Sequence, residues 1–161
     1  LYLFAQGHPS ERRLPIPRTA VIEELGGSVA TAAATIAIRL GARRLALVGQ
    51  DLAILERRFH ARGTHHEAAR VTGLSRFDSV EARLARANAA RVLRDVPAVG
   101  GGQVPTTPAM DSYRRYFSEL ARRHPEVEMV QTSPCGARIS CRHLPLAETL
   151  EAWRKQADRG I

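Results

Sequence analysis

The feature that most constrains this chain is a segment opened by two glycines and closed by a third. Gly26-Gly27-Ser28-Val29-Ala30-Thr31 leads through Ala, Thr and Ile to Leu40-Gly41. Its apolar residues fall nearly all round a helical projection, Ser28 stands where an N-cap belongs and Gly41 where a C′ residue belongs. The segment therefore predicts a buried helix from Ser28 to Leu40. Arg44 to Val48 follows, with Leu45-Ala46-Leu47-Val48 free of polar residues until Gly49-Gln50-Asp51 ends it. A short, wholly apolar strand after a buried helix predicts an interior parallel strand covered on both faces, and so an α/β sheet.

Around this unit the periodicity predicts further elements. Residues 1–18 combine an apolar start, Leu1 to Ala5, with a stretch marked by Pro9, Pro15 and Pro17, and read as a strand remnant and linker ahead of one domain over 19–161. Residues 52–78 have no steady period and read as a long loop over the carboxyl edge of the sheet. Ser79 to Arg94 reads as a helix, ended by the proline and three consecutive glycines between Val96 and Gly102. A second helix is expected from Pro108 to Arg123, with Pro108 near N1, Tyr113, Phe117 and Leu120 on one face, and His124-Pro125 as its stop. Val127 to Thr132 is a candidate strand and Ala137 to Ser140 a short extended piece. Pro145 to Ala157 is a terminal amphipathic helix with Leu146, Leu150 and Trp153 on its apolar face.

Composition narrows the class. A chain of 161 residues fits one domain with a core of its own, and 44% hydrophobic with 25% charged residues excludes a disordered or collagen-like chain. The longest apolar stretch, Val29 to Ile38, is far shorter than the ~20 residues of a membrane span. Two cysteines, Cys135 and Cys141, make no disulfide framework, so a reducing cytoplasm is the expected compartment. The chain opens at Leu1 without Met and reads as a fragment or a processed chain. The net charge of +8 favours anionic partners. Nucleic acid is disfavoured among them: Lys155 is the only lysine, the arginines are spread over helical faces, and aromatic residues are only 5%, too few for a stacking platform.

Three segments carry candidate chemistry. At the start of the first helix, glycines permit close backbone approach, the first turn has N–H groups without intrahelical partners, and Ser28 and Thr31 add hydroxyls. Such an end suits a phosphate, and it equally suits a plain helix start. Gly49-Gln50-Asp51 ends a strand where α/β sheets bind ligands, and Asp51 there could hold a ribose hydroxyl, a sugar or a metal, or simply cap a turn. His60, His65 and His66 are spaced too loosely for structural zinc, and no metal site is assigned. His60 titrates in the right range to act as an acid or base.

Taken together, Gly26 to Thr31, the alanine-rich helix to Gly41, Leu47-Val48-Gly49-Gln50-Asp51-Leu52-Ala53 and His60 with Gly63-Thr64 resemble the motility-associated factor (Maf) glycosyltransferases. The likeness continues through Val99-Gly100-Gly101, Val104, Thr106, Tyr116-Phe117 and Gln131-Thr132-Ser133-Pro134-Cys135-Gly136-Ala137-Arg138-Ile139 to Pro145-Leu146. It spans roughly residues 20–150 in order. The family's core is shared with hydroxymethylpterin pyrophosphokinases and, more remotely, with sialyltransferases. The resemblance implies a Rossmann-like α/β domain, a parallel sheet flanked by helices, here a partial domain lacking its first strand and its Gly-Pro-Ser-Leu-type nucleotide loop. It also differs at Pro134-Cys135-Gly136-Ala137, where the family has Glu-Gly-Gly-Ala.

The activity so implied is transfer of a nonulosonic, sialic-acid-like sugar from a CMP-activated donor to Ser or Thr of flagellin. Gly26, Gly27, Ser28, Thr31, Gly49 and Gln50 would contact the nucleotide sugar, and Asp51 and His60 would be catalytic. The related pterin enzymes imply an alternative with ATP and Mg²⁺, in which Asp51 is a metal ligand. A third expectation is a degenerate copy that binds flagellin without turnover.

Overall fold

The computed structural model describes residues 3–4, 21–22, 26–56, 79, 82, 85–86, 89 and 92–158. In chain order the elements are β1 (Leu3–Phe4), β2 (Val21–Ile22), α1 (Val29–Arg39), β3 (Arg44–Leu47), β4 (Arg94–Pro97), β5 (Gln103–Thr106), α2 (Pro108–Arg123), β6 (Glu128–Gln131), β7 (Arg142–His143) and α3 (Leu146–Asp158). The architecture is mixed α/β, built on a three-stranded parallel sheet in the order β3-β6-β7. Arg44 pairs with Glu128 and Leu47 with Gln131, while Val130 and Gln131 pair with Arg142 and His143. β1 and β2 form a separate two-residue parallel pair.

Local chemistry explains the ends of α1. Ser28 is extended at φ −131°, and its side chain accepts from the Thr31 amide while Thr31 accepts from the Ser28 amide, a closed capping box. At the other end Gly41 takes φ +91°. The Gly41 amide bonds to the Ile38 carbonyl and the Ala42 amide to the Ala37 carbonyl, the paired bonds of a Schellman motif that needs a residue without a Cβ clash. α2 begins with Thr107 accepting from the Met110 amide and Pro108 in the first turn, and His124 closes it on the Leu120 carbonyl.

The core joins these helices to one face of the sheet. Ala34 of α1, Phe117 and Leu120 of α2, Leu47, Met129 and Ile139 are buried together. Leu45 and Leu47 lie two apart and share that face, as the period of a strand requires. A second cluster of Ala53, Val96, Val104 and Ala137 sits beneath the β4–β5 hairpin.

Several expectations are corrected. β3 is not interior: among the described residues only β6 pairs with it, and Val48 is exposed. α1 is not buried all round but along the stripe of Thr31, Ala34 and Thr35, and Val29 is 88% exposed. Ala82, Ala85, Arg86 and Ala89 are helical, but Arg94 belongs to a strand, and Val96 to Gly102 is half of an antiparallel hairpin rather than a helix terminator. Pro97 and Pro105 fit because each strand of a two-stranded ribbon is an edge strand. Residues 52–55 pack inward, with Ala53 and Ile54 buried. On α3, Leu146 and Leu150 are exposed and the buried position between them is Thr149, which bonds to the Pro145 and Leu144 carbonyls. No helix of the described residues is long and apolar enough to cross a membrane.

Candidate functional site

Topology brings the two predicted segments to the same end of the sheet. α1 runs into β3 through residues 40–43 and α2 into β6 through 124–127, so each helix returns antiparallel to its strand. The start of α1 therefore lies toward the end where β3 and β6 terminate, the carboxyl edge at which open α/β sheets receive ligands.

At the α1 start, packing accounts for both glycines. Gly26 has φ +66°, and a Cβ there would lie 2.6 Å from the Tyr116 ring and 2.8 Å from Thr31 Cβ. Gly27 has φ +82° and a Cβ would come within 3.3 Å of Tyr113. Tyr116 also shares a 2.7 Å hydrogen bond with Thr35, locking α2 to α1. Thr31 is fully buried, and its hydroxyl donates to the Ser28 carbonyl at 2.8 Å while accepting from the Ser28 amide at 3.0 Å. In this conformation Thr31 braces Ser28 from below, and Ser28, half-buried, is the hydroxyl nearer the surface.

At the β3 exit, Gly49 takes φ +66° in open space, and Gln50 and Asp51 are half-buried. The main chain of Asp51 is clamped: its carbonyl accepts from the Ala137 amide at 2.7 Å. Gly136, at φ +100°, lies against it so closely that a Cβ would stand 2.7 Å from Asp51 Cα. Asp51 is thus fixed on the loop that leaves β6.

That loop is braced from every side. Gln131, fully buried, donates from Nε2 to the Ala137 carbonyl at 2.8 Å and accepts the Ile139 amide on Oε1 at 2.9 Å, closing residues 132–138 into a staple. Thr132 donates to the Leu47 carbonyl at 2.9 Å, and His143 Nε2 donates to the Ser133 carbonyl at 2.9 Å, which places the ring proton on Nε2. The Val99 amide bonds to Gly136 and the Arg138 amide to Pro97, tying in the hairpin. Ser133 Oγ is buried and makes no hydrogen bond. Cys135 projects to the surface; desolvation first, then the negative charges of Asp51 and Glu56, raise its thiol pKa, so at neutral pH it is a protonated thiol and a poor nucleophile.

The first turn of α2 holds a second polar centre. Asp111, 1% exposed, faces Arg114 at 2.8 Å, Arg115 at 3.0 Å and Arg94 at 3.6 Å. Burial alone would raise its carboxyl pKa, but the hydrogen bond and charge of Arg114, joined by Arg115, outweigh it and hold Asp111 below the ordinary carboxylate value.

Gly26, Gly27, Ser28 and Thr31 form one group and Gly49, Gln50 and Asp51 another, while His60 lies outside the described residues. Gln131, Ser133, Cys135, His143 and Asp111 carried no predicted role. For Asp111 a local signal existed, a carboxylate in the first helical turn with arginines three and four positions on. For Gln131 and His143 the partners lie 6 to 10 residues away, beyond the reach of a helix or turn motif. Among the described residues no group of three or more His, Cys, Asp or Glu could hold a metal ion. No protein-family model, no curated protein and no solved structure matches the chain.

Proposed function

We propose that this chain has a Rossmann-like topology and acts as a glycosyltransferase of the Maf type, moving a nonulosonic sugar from a CMP-activated donor to a Ser or Thr hydroxyl of flagellin. The observation that carries the reading is the clamp between Asp51 and the Gly136-Ala137 turn. It fixes the main chain that carries a strand-end aspartate at the carboxyl edge, beside the loop whose sequence resembles the family. In this reading the donor phosphate rests on the start of α1 at Gly27 and Ser28, where the helix dipole favours an anion. Thr31 positions Ser28 through the capping box, Gly49 and Gln50 border the nucleotide, and Asp51 orients the sugar. Transfer breaks the glycosidic bond to the CMP phosphate and forms one to the acceptor oxygen, whose proton must leave. His60 is the residue assigned to accept it.

One observation favours a second reading. The hydroxyls of Ser28 and Thr31 answer each other and Tyr116 packs on Gly26, so these two hydroxyls already have partners within the chain, as in a scaffold that binds its partner without turnover. Calorimetric titration with CMP separates the two. The transferase reading expects metal-independent binding that weakens about tenfold or more in a Ser28→Ala/Asp51→Ala variant of unchanged fold. Absence of heat in both proteins leaves the scaffold reading, and equal heats in both remove the assignment of the site.

A further inference from the structure

We propose that the groove between α2 and the start of β6 and β7 docks an acidic polypeptide segment carrying aliphatic side chains. The groove, about 680 Å³, lies alongside the lower half of α2, and nothing in the nucleotide-sugar reading uses it. Its volume falls in the range of ligand clefts, ~300–1,000 Å³. Its floor is aliphatic, made by Ala121, Val127 and Met129 with the half-buried Cys141 thiol, and its rim is arginine.

Charge decides the class of partner. Arg114, Arg115, Arg122 and Arg142 line the groove and Arg94 joins them on Asp111. Within the groove four guanidinium groups stand with two carboxylates, those of Glu119 and Glu128, which leaves an excess of positive charge along the rim. Arg115, Arg122 and Arg142 face solvent, 68%, 72% and 53% exposed, while Arg114 is 15% exposed and packed against Asp111. The Arg122–Glu119 pair, open to solvent on both sides, is worth only ~0–1 kcal/mol, so an incoming carboxylate can exchange for Glu119 with little loss, while Arg115 contributes its exposed charge without leaving the buried Asp111.

Two features favour a peptide over a nucleic acid. Among the described residues no aromatic side chain lines the groove, which gives bases no stacking platform there. Glu119 and Glu128 interrupt the rim, so its positive charge comes in separated patches, which suit the spaced carboxylates of a peptide better than a continuous phosphate backbone. Arg115 and Arg122 stand about 10 Å apart along the helix axis, from seven residues at ~1.5 Å each, a span that three residues of extended peptide cover.

The test uses the full chain and a fluorescein-labelled peptide of repeating Glu-Leu-Glu units, read by anisotropy. The peptide should bind the wild type, more weakly as salt rises, and about tenfold more weakly to Arg115→Glu/Arg122→Glu, with the fold of each variant checked by circular dichroism. Arg154→Glu, an exposed change on α3 outside the groove, should leave affinity unchanged. In a Cys135→Ser background, saturating peptide should slow alkylation of Cys141, a readout that does not depend on the charge variants. The proposal is overturned by absence of peptide binding, by equal loss in Arg154→Glu, by unprotected Cys141, or by labelled oligothymidylate binding more tightly than the peptide.

Discussion

The amide of Ala137 donates to the carbonyl of Asp51 at 2.7 Å, and Gly136 presses on the same peptide unit, so the exits of β3 and β6 share one backbone joint. The joint matters because it is made by main chain on both sides: the Asp51 carboxylate is left to act elsewhere while its position is fixed. Any side chain at 136 must push that position aside.

Gly136→Ala should therefore be much more damaging than Gly49→Ala, although both glycines have positive φ. At position 49 a methyl meets nothing within 4 Å and only the left-handed backbone is penalised, about 1 kcal/mol. At 136 the methyl also collides with Asp51, and the total loss should reach about 3 kcal/mol. Thermal unfolding of the two variants checks this, and equal midpoints would remove the joint.

Gln131→Leu keeps side-chain bulk but strips the staple of both hydrogen bonds, leaving the Ala137 carbonyl and the Ile139 amide buried without partners. Each unsatisfied buried group costs about 1–3 kcal/mol, so the variant should lose about 2–6 kcal/mol in urea unfolding. It should also loosen residues 132–138, read as faster amide exchange at Ile139. A loss under 1 kcal/mol with unchanged exchange would mean that the loop is held by its other bonds.

What could be read in the sequence was what neighbours in sequence decide. Ser28 and Gly41 close α1 through bonds within a few residues, and Thr107-Pro108 opens α2 in the same way, so those ends were legible. The β4–β5 hairpin was not. Pro97, Pro105 and the three glycines look like breakers, and the bonds that hold the hairpin, Ile54 amide to Pro105 and Arg138 amide to Pro97, join segments far apart in the chain. Leu146 and Leu150 promised an apolar face that the fold leaves exposed while burying Thr149. At the candidate site, Asp51 could be placed from its position after an apolar strand. The need for glycine at 26 and 27 could not, because it comes from the rings of Tyr116 and Tyr113 on another helix.

Asp111 should shape the acid limb of stability. Its carboxyl pKa is depressed in the fold, so its contribution is complete above the unfolded value near 3.8 and is lost as pH falls through the folded value. Asp111→Asn, which abandons three arginines around a buried site, should cost about 3 kcal/mol at neutral pH. The gap between variant and wild type should narrow in urea titrations carried below pH 4. Glu119 provides the contrast: hydrogen bonds from Arg122 and Arg123 hold its carboxyl at about 2, but it faces solvent, and Glu119→Gln should leave the midpoint nearly unchanged. A pH-independent gap for Asp111→Asn would mean that the buried group is not the ionised partner of its arginines.

Glu128 joins three elements, and the chain's one tryptophan reports on it. From β6 its Oε2 accepts the indole N–H of Trp153 on α3 at 2.7 Å, and its Oε1 accepts from Arg142 on β7 at 2.6 Å. Arg44 on β3 reaches the Trp153 carbonyl at 3.4 Å, so the terminal helix is tied to the start of the sheet largely through this residue pair. Glu128→Ala should shift Trp153 emission to the red and lower stability by about 1–2 kcal/mol, because an indole N–H loses a charged acceptor in a partly buried place. Arg142→Ala removes only the exposed pair with Glu128 and should leave the emission where it is. Equal red shifts in the two variants would mean that β7, rather than the indole hydrogen bond, seats α3.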